Sequence, residues 1–422
     1  MINEVLASPG DGQAGFVELF NPGPDTVEVG NWIVAPSFGS RNQGFAIPTG
    51  VPIEAGGYLS IAQEHLPFAL SPAGGTVVVL ATNEFGGPLG TFQEFAYGAA
   101  EPGVSYGTYA AGGEEFVVPL SEPTPGAANA LPLAAEIAIN EIMYQPAPGG
   151  GDEYVEIVNA SAETQPLAGW RLSGAGFDFP ADASLFPGQL ALVVPVDPSA
   201  FRAANAIPDA VPIFGPYPGA LDNGGERLAL ERPVETSAGP ALRPEDEVRY
   251  GDAAPWPAEA DGQGASLERI SPAHFAGDPA SWRASNPEAE PSPGLLPHLS
   301  YAQWAAPIFA DFDGLIDLPH LDPDLDGIAN LGEYLLGLHP LHPDPPPAQI
   351  AADPAPVLHF TRIPNRDGEA AAESSADLIG WGRADPAEPP LNNGDGSETV
   401  IVPFPGGTAF GRLRFTSGAA VP

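Results

Sequence analysis

Short runs of alternating apolar and polar residues recur along most of the chain, each closed by a cluster of Pro, Gly or Asn. A period of two predicts β-strands with one face in a core and the other in water. Two such runs, Ile2-Asn3-Glu4-Val5-Leu6 and Phe16-Val17-Glu18-Leu19-Phe20-Asn21, open the sequence, followed by Val29-Gly30-Asn31-Trp32-Ile33-Val34. They return in the same order at Ile139-Asn140-Glu141-Ile142-Met143-Tyr144, Glu153-Tyr154-Val155-Glu156-Ile157-Val158-Asn159 and Leu167-Ala168-Gly169-Trp170-Arg171-Leu172-Ser173.

Later landmarks repeat as well. Ala55-Gly56-Gly57-Tyr58-Leu59 answers Pro187-Gly188-Gln189-Leu190-Ala191, Gly103-Val104-Ser105 answers Gly264-Ala265-Ser266, and Pro123-Thr124-Pro125-Gly126 answers Pro291-Ser292-Pro293-Gly294. The offset between the copies grows from 137 to 168 residues. The second copy therefore carries roughly thirty more, expected in loops, where insertions are tolerated. Two collinear copies predict two tandem β domains, at 1–129 and 135–295, with Trp32 and Trp170 as matching core anchors.

After Pro297 the pattern changes. Tyr301-Ala302-Gln303-Trp304-Ala305-Ala306 predicts a short helix ending near Pro307. An acidic loop, Asp322 to Glu333, then leads into Tyr334-Leu335-Leu336-Gly337, so 298–340 reads as helix-loop-helix. A proline-rich stretch from Pro340 to Pro347 stiffens the join to a small β domain at 353–417. Its strands are expected at Val357-Leu358-His359-Phe360, Thr399-Val400-Ile401-Val402 and Arg412-Leu413-Arg414-Phe415, with hairpin turns at Asn393-Gly394 and Asp395-Gly396.

The acidic loop carries the most specific chemistry. Asp322, Asp324, Asp326, Asn330 and Glu333 hold positions 1, 3, 5, 9 and 12, with the Ile328 carbonyl at position 7 and Gly327 at position 6. Oxygen ligands at that spacing let a hard cation collect six or seven oxygens from one short loop, while the glycine permits the sharp turn. These six residues, Asp322, Asp324, Asp326, Ile328, Asn330 and Glu333, are the predicted calcium ligands.

The Ile-Asn-Glu opening strand, the Glu-Tyr-Val-Glu-Ile-Val-Asn strand, the Leu-x-Gly-Trp segment, Ala265-Ser266-Leu267-Glu268-Arg269 and the Pro-Ser-Pro-Gly ending resemble the lamin tail domain of secreted bacterial proteins. The resemblance implies immunoglobulin-like β-sandwiches at 1–129 and 135–295, hence a mainly β fold of two tandem sandwiches, a helix-loop-helix and a small C-terminal β domain. The Asp322–Glu333 loop, followed by Tyr334, resembles those of EF-hand-like and thrombospondin type 3 modules. Glu373-Ser374-Ser375-Ala376-Asp377-Leu378-Ile379-Gly380-Trp381 resembles a Ser-x-Asp-Leu-x-x-Trp pattern of small C-terminal β domains in large secreted bacterial proteins.

Composition narrows the function classes. The chain has 54 acidic residues against 14 basic ones, all arginine, and a net charge of −40. Such a surface repels phosphate backbones and anionic lipid, so neither nucleic acid nor a membrane surface is an expected partner. No run of 18 apolar residues predicts a membrane span. There is no cysteine, which removes disulfides and thiolate metal sites. Met1 is followed at once by the first strand, without a signal peptide. The resemblance nonetheless implies an extracellular or cell-surface protein, for which the sequence beginning at Met1 would be a fragment or would begin at a mis-called start.

Three further patterns read as structure rather than chemistry. Gly103-Val104-Ser105-Tyr106-Gly107 fits the G-x-S-x-G elbow of serine hydrolases, but its flanks predict strands and His65 is the only histidine in that domain. His339-Pro340-Leu341-His342 lacks the helical spacing that makes histidine pairs converge. Asn159-Ala160-Ser161, a glycosylation sequon, coincides with a strand ending. The expectation is a non-catalytic extracellular binding, adhesion or scaffolding protein with calcium as its cofactor and an unspecified protein or polysaccharide partner. The alternative is the accessory C-terminal part of a larger secreted hydrolase whose catalytic domain lies upstream of residue 1.

Overall fold

The structure is a computed structural model. It describes residues 1–285, 293–294, 301–309, 316–341, 343–352, 356–363, 366, 368–387, 389–393, 397–404 and 410–417. The Gly394, Asp395 and Gly396 turn, His342, and Pro291-Ser292 lie outside them. The chain is mainly β, built of antiparallel sheets with three helices among the described residues.

The first sheet orders its strands Glu114–Pro119, Tyr106–Ala111, Ile2–Leu6, Phe16–Phe20 and Tyr58–Ala62. Facing it is a sheet of Phe45–Ala46, Ile33–Ala35, Gly75–Thr82 and Pro88–Tyr97. The apolar positions of both meet in one core that includes Val5, Val17, Leu19, Val34, Val77 and Phe95. Further along, the strands Trp282–Ala284, Leu267–Arg269, Ile137–Met143, Tyr154–Asn159 and Leu190–Val193 follow the same order, and Ile213–Phe214 adds a parallel edge strand. The facing sheet there is Phe177–Asp178, Arg171–Ser173, Arg227–Thr236 and Gly239–Arg249. Ile142, Val155, Ile157, Trp170, Leu172 and Leu230 form its core.

The period-two pattern predicts strands with one wet face, and here the structure differs. Ile2–Leu6, Ile137–Met143 and Tyr154–Asn159 are buried at every position. The polar face is dry because later chain segments lie across it. A β-bulge at Asn3 and another at Asn140 break the alternation. In the first unit the adjacent Asn3 and Glu4 side chains both reach the covering chain, at Asn129 and Thr124. Asn3 donates to Glu18 at 3.0 Å, and Asn140 to Glu156 at 2.7 Å. Glu18 in turn accepts the Gly126 amide and Glu156 accepts that of Gly294, each at 2.6 Å. Gly126 and Gly294, in the segments that end each unit, are thus pinned to the unit's own second strand.

Two asparagines make another matched set. The Asn21 side chain donates to the carbonyls of Asp25, Ile53 and Glu54, and that of Asn159 to the carbonyls of Glu163 and Leu185. Trp32 and Trp170 have corresponding backbone bonds, to Val29 and Leu167. Their burial differs. Trp170 is 4% exposed in the core, whereas Trp32 is half-buried and only packs against the core's edge.

The two sandwich units touch through Arg232, which bonds Glu101 at 2.6 Å, and through Phe275, edge-on to both Tyr109 and Phe116. The first helix, α1, spans Pro198–Asn205 in the second sandwich unit. The next, α2, spans Tyr301–Ile308, one residue past the predicted stop at Pro307, and α3 spans Asn330–Leu336. Tyr301, Trp304, Tyr334 and Leu335 of these helices share one hydrophobic core with Leu358, Phe360, Ala370, Val400 and Val402. The helix-loop-helix and the last β unit are therefore packed as one body around that core. Its sheets contain Pro356–Arg362 with Glu398–Pro403, and Gly368–Ser375 with Phe410–Ser417. Asp377 closes the turn after Ser375 by accepting the Ile379 and Gly380 amides, and Arg412 stacks 4.1 Å over Trp381.

Candidate metal centre

The acidic loop folds on itself through its own carboxylates. Asp322 accepts the Leu325 amide at 2.8 Å and the Gly327 amide at 3.0 Å. Asp324 accepts from Asp326 at 3.2 Å, and Asp326 from Ile328 at 2.8 Å. Gly327 has a φ of 95°, the left-handed conformation that side chains resist and that the position-6 glycine predicts. Leu325, at 64°, adopts the same region in an exposed turn. The Ile328 side chain, at the loop's exit, is buried.

One carboxylate oxygen each from Asp322, Asp324 and Asp326 lie within 4.8 Å of one another. A second group, equally close, joins Asp326 and Glu333 to Asp344. Asp326 belongs to both. Of the predicted ligands, the four acidic residues are brought together. The Asn330 amide nitrogen donates to the Ile316 and Leu318 carbonyls at 2.8 and 3.0 Å, holding the strap that precedes the loop, while its Oδ1 is buried without a hydrogen-bond partner among the described residues. Asp344 has no counterpart among the predicted ligands. It sits in the proline-rich segment, eleven residues beyond Glu333, where no loop pattern points to it.

Glu333 decides the character of this site. It lies in the first turn of α3 and is fully buried, and both of its carboxylate oxygens lack a hydrogen-bond partner among the described residues. Burial first, then the charges of Asp324, Asp326, Asp322 and Asp344, push its pKa up to about 8. Asp324 is raised for the same reasons, burial foremost. Among the described residues no arginine is ion-paired to any of these five carboxylates. Buried carboxylates are ordinarily paired, hydrogen-bonded or metal-bound. A hard divalent cation satisfies this donor set, which is all oxygen and strongly anionic.

The other sequence patterns fall elsewhere. Ser105 is fully buried and precedes the strand Tyr106–Ala111, so the strand-turn-helix setting of a nucleophile elbow is absent there. His65, in a short 3-10 turn, is exposed. Asn159 is buried, with its side chain fixed on two carbonyls.

A larger carboxylate row runs across the second sandwich, where Glu156, Glu141, Glu268 and Arg283 stand side by side on four neighbouring strands. Glu141 accepts hydrogen bonds from the Tyr154 and Ser266 hydroxyls. Burial and then Glu268 raise its pKa to about 7, and burial with Glu141 raises Glu156 further above its ordinary value.

Residues 132–232 match the family model of the Lamin Tail Domain, covering the strands from Ile137–Met143 into Arg227–Thr236. No curated protein matches the chain. Among solved structures, the crystal structure of a DUF4876 family protein from Bacteroides thetaiotaomicron is similar at 14% identity, over 64% of this chain and 92% of that one, with a TM-score of 0.23. Among the described residues no helix is long and apolar enough to cross a membrane.

Proposed function

We propose that this chain is a non-catalytic extracellular scaffold of two tandem lamin-tail-like sandwiches, whose C-terminal body is stabilised by calcium bound to Asp322, Asp324, Asp326 and Glu333. The observation that carries the calcium reading is Glu333, a fully buried carboxylate without a hydrogen-bond partner among the described residues, facing further carboxylates. The shared strand order of the two sandwich units and the matched Glu18–Gly126 and Glu156–Gly294 bonds support the tandem reading. Extracellular calcium is millimolar, and sites in extracellular modules bind with dissociation constants of about 10⁻⁴ to 10⁻³ M, so the ion would serve as a permanent structural part. The partner class is an extracellular protein or polysaccharide.

Titration calorimetry of the full chain tests the metal reading. Calcium is expected to bind at about 10⁻⁴ to 10⁻³ M, and Glu333→Gln to abolish the heat. At a hundredfold excess over the dissociation constant, calcium should stabilise the C-terminal body by about 2.7 kcal/mol. Binding heat unchanged in Glu333→Gln would remove the site from this loop.

A further inference from the structure

Asp344 stands with Asp326 and Glu333, one carboxylate oxygen of each within 4.8 Å of the others, although it lies outside the loop that sequence spacing defines. We propose that Asp344 is a ligand of the bound cation, so that the ion fastens the proline-rich segment between α3 and the strand Ala348–Ala352 onto the loop. This rests on the calcium reading above and adds a ligand and a coupling to it.

Two independent observations carry the assignment. The first is that the group converges on Glu333, whose fully buried oxygens have no hydrogen-bond partner among the described residues. The charge that satisfies Glu333 must lie where Asp326 and Asp344 also point. The second is that Asp344 is held in place from two directions. Its amide donates to Asp326 at 2.8 Å, and its Oδ2 accepts the His339 amide at 3.0 Å. The first bond ties the segment to a loop carboxylate, and the second ties Asp344 to the turn that follows α3. A carboxylate oriented by its neighbours loses little freedom when it binds a metal, as expected of a positioned ligand.

Calcium accepts six to eight oxygens in flexible geometry, so a ligand from outside the loop fits its coordination. Asn330, the position-9 residue, has its amide nitrogen engaged on the Ile316 and Leu318 carbonyls. Asp344 supplies a further anionic oxygen from beyond α3. Filling the site then joins three pieces of chain, the loop, α3 and the segment that leads into the last β unit, around one ion.

The chain of residues 1–422 and terbium(III), used as a calcium surrogate and displaced by calcium, provide the test. Asp344→Asn should weaken calcium binding by at least about tenfold, and the terbium luminescence lifetimes in light and heavy water should report an additional coordinated water. Asp344→Glu should restore the wild-type hydration. Calcium should also slow exchange of the Leu338, His339 and Leu341 amides in the wild type but not in Asp344→Asn. Failure of the wild-type chain to bind calcium or terbium would overturn the calcium reading and this inference together. Wild-type binding with unchanged affinity and hydration in Asp344→Asn would overturn this inference alone. Weaker binding with no added water would also overturn it, because Asp344 would then position Asp326 without touching the metal.

Discussion

The Glu156 carboxylate accepts the Gly294 amide at 2.6 Å, joining the second strand of its sandwich to the segment that closes that unit. Glu18 and Gly126 repeat the bond at the same distance in the first unit. Glutamates in the middle of β-strands are ordinarily solvent-facing, and these two are fully buried because each has a specific donor to satisfy. Glu156→Ala should leave the Gly294 amide and the Asn140 side chain without acceptors, at about 1–3 kcal/mol for each buried donor. Denaturant unfolding of the variant measures the loss, and faster exchange of the Gly294 amide locates it. Wild-type stability in Glu156→Ala would mean that water replaces the carboxylate without loss.

The two tryptophans at matching backbone positions should respond unequally to truncation. Trp170→Ala opens a cavity in a filled core and should destabilise its unit by about 3–5 kcal/mol. Trp32→Ala should have a smaller effect, because part of that ring already meets water. Thermal melts of the two variants compare them directly, and equal losses would contradict the packing described.

Much of this architecture was legible in the sequence, and what was not has a physical reason. Strand positions followed from period-two alternation, and the two sandwich units share a strand order that matches the order of the repeated runs. The expected wet face of the first strands was wrong because alternation reports polarity, not exposure. Glu4, Glu18, Glu141 and Glu156 are polar yet buried, and each is bonded to chain more than a hundred residues away. The acidic loop was legible because its contacts are local. Asp344 was not, since a ligand from beyond α3 has no fixed spacing to the loop.

The carboxylate row predicts a pH dependence of stability. Folding raises the Glu141 pKa from 4.5 to about 7 and raises that of Glu156 as well. Between those values the folded state holds protons that the unfolded state has released, so stability falls as pH rises. The contribution is fully present below about pH 4.5 and lost as pH passes through about 7. Repulsion among surface acids has the same sign but is screened by salt, whereas the buried row is screened much less. Urea unfolding at high salt from pH 5 to 8 should therefore show a decline that flattens in Glu141→Gln. Stability that rises with pH across this window would contradict it.

The central claim is that Glu333 and its neighbouring aspartates enclose calcium. A crystal structure of the full chain grown in millimolar calcium tests this most directly. The predicted result is a calcium peak with oxygens of Asp322, Asp324, Asp326 and Glu333 at about 2.3–2.6 Å. No peak, with the Glu333 oxygens hydrogen-bonded to water or protein instead, would contradict it.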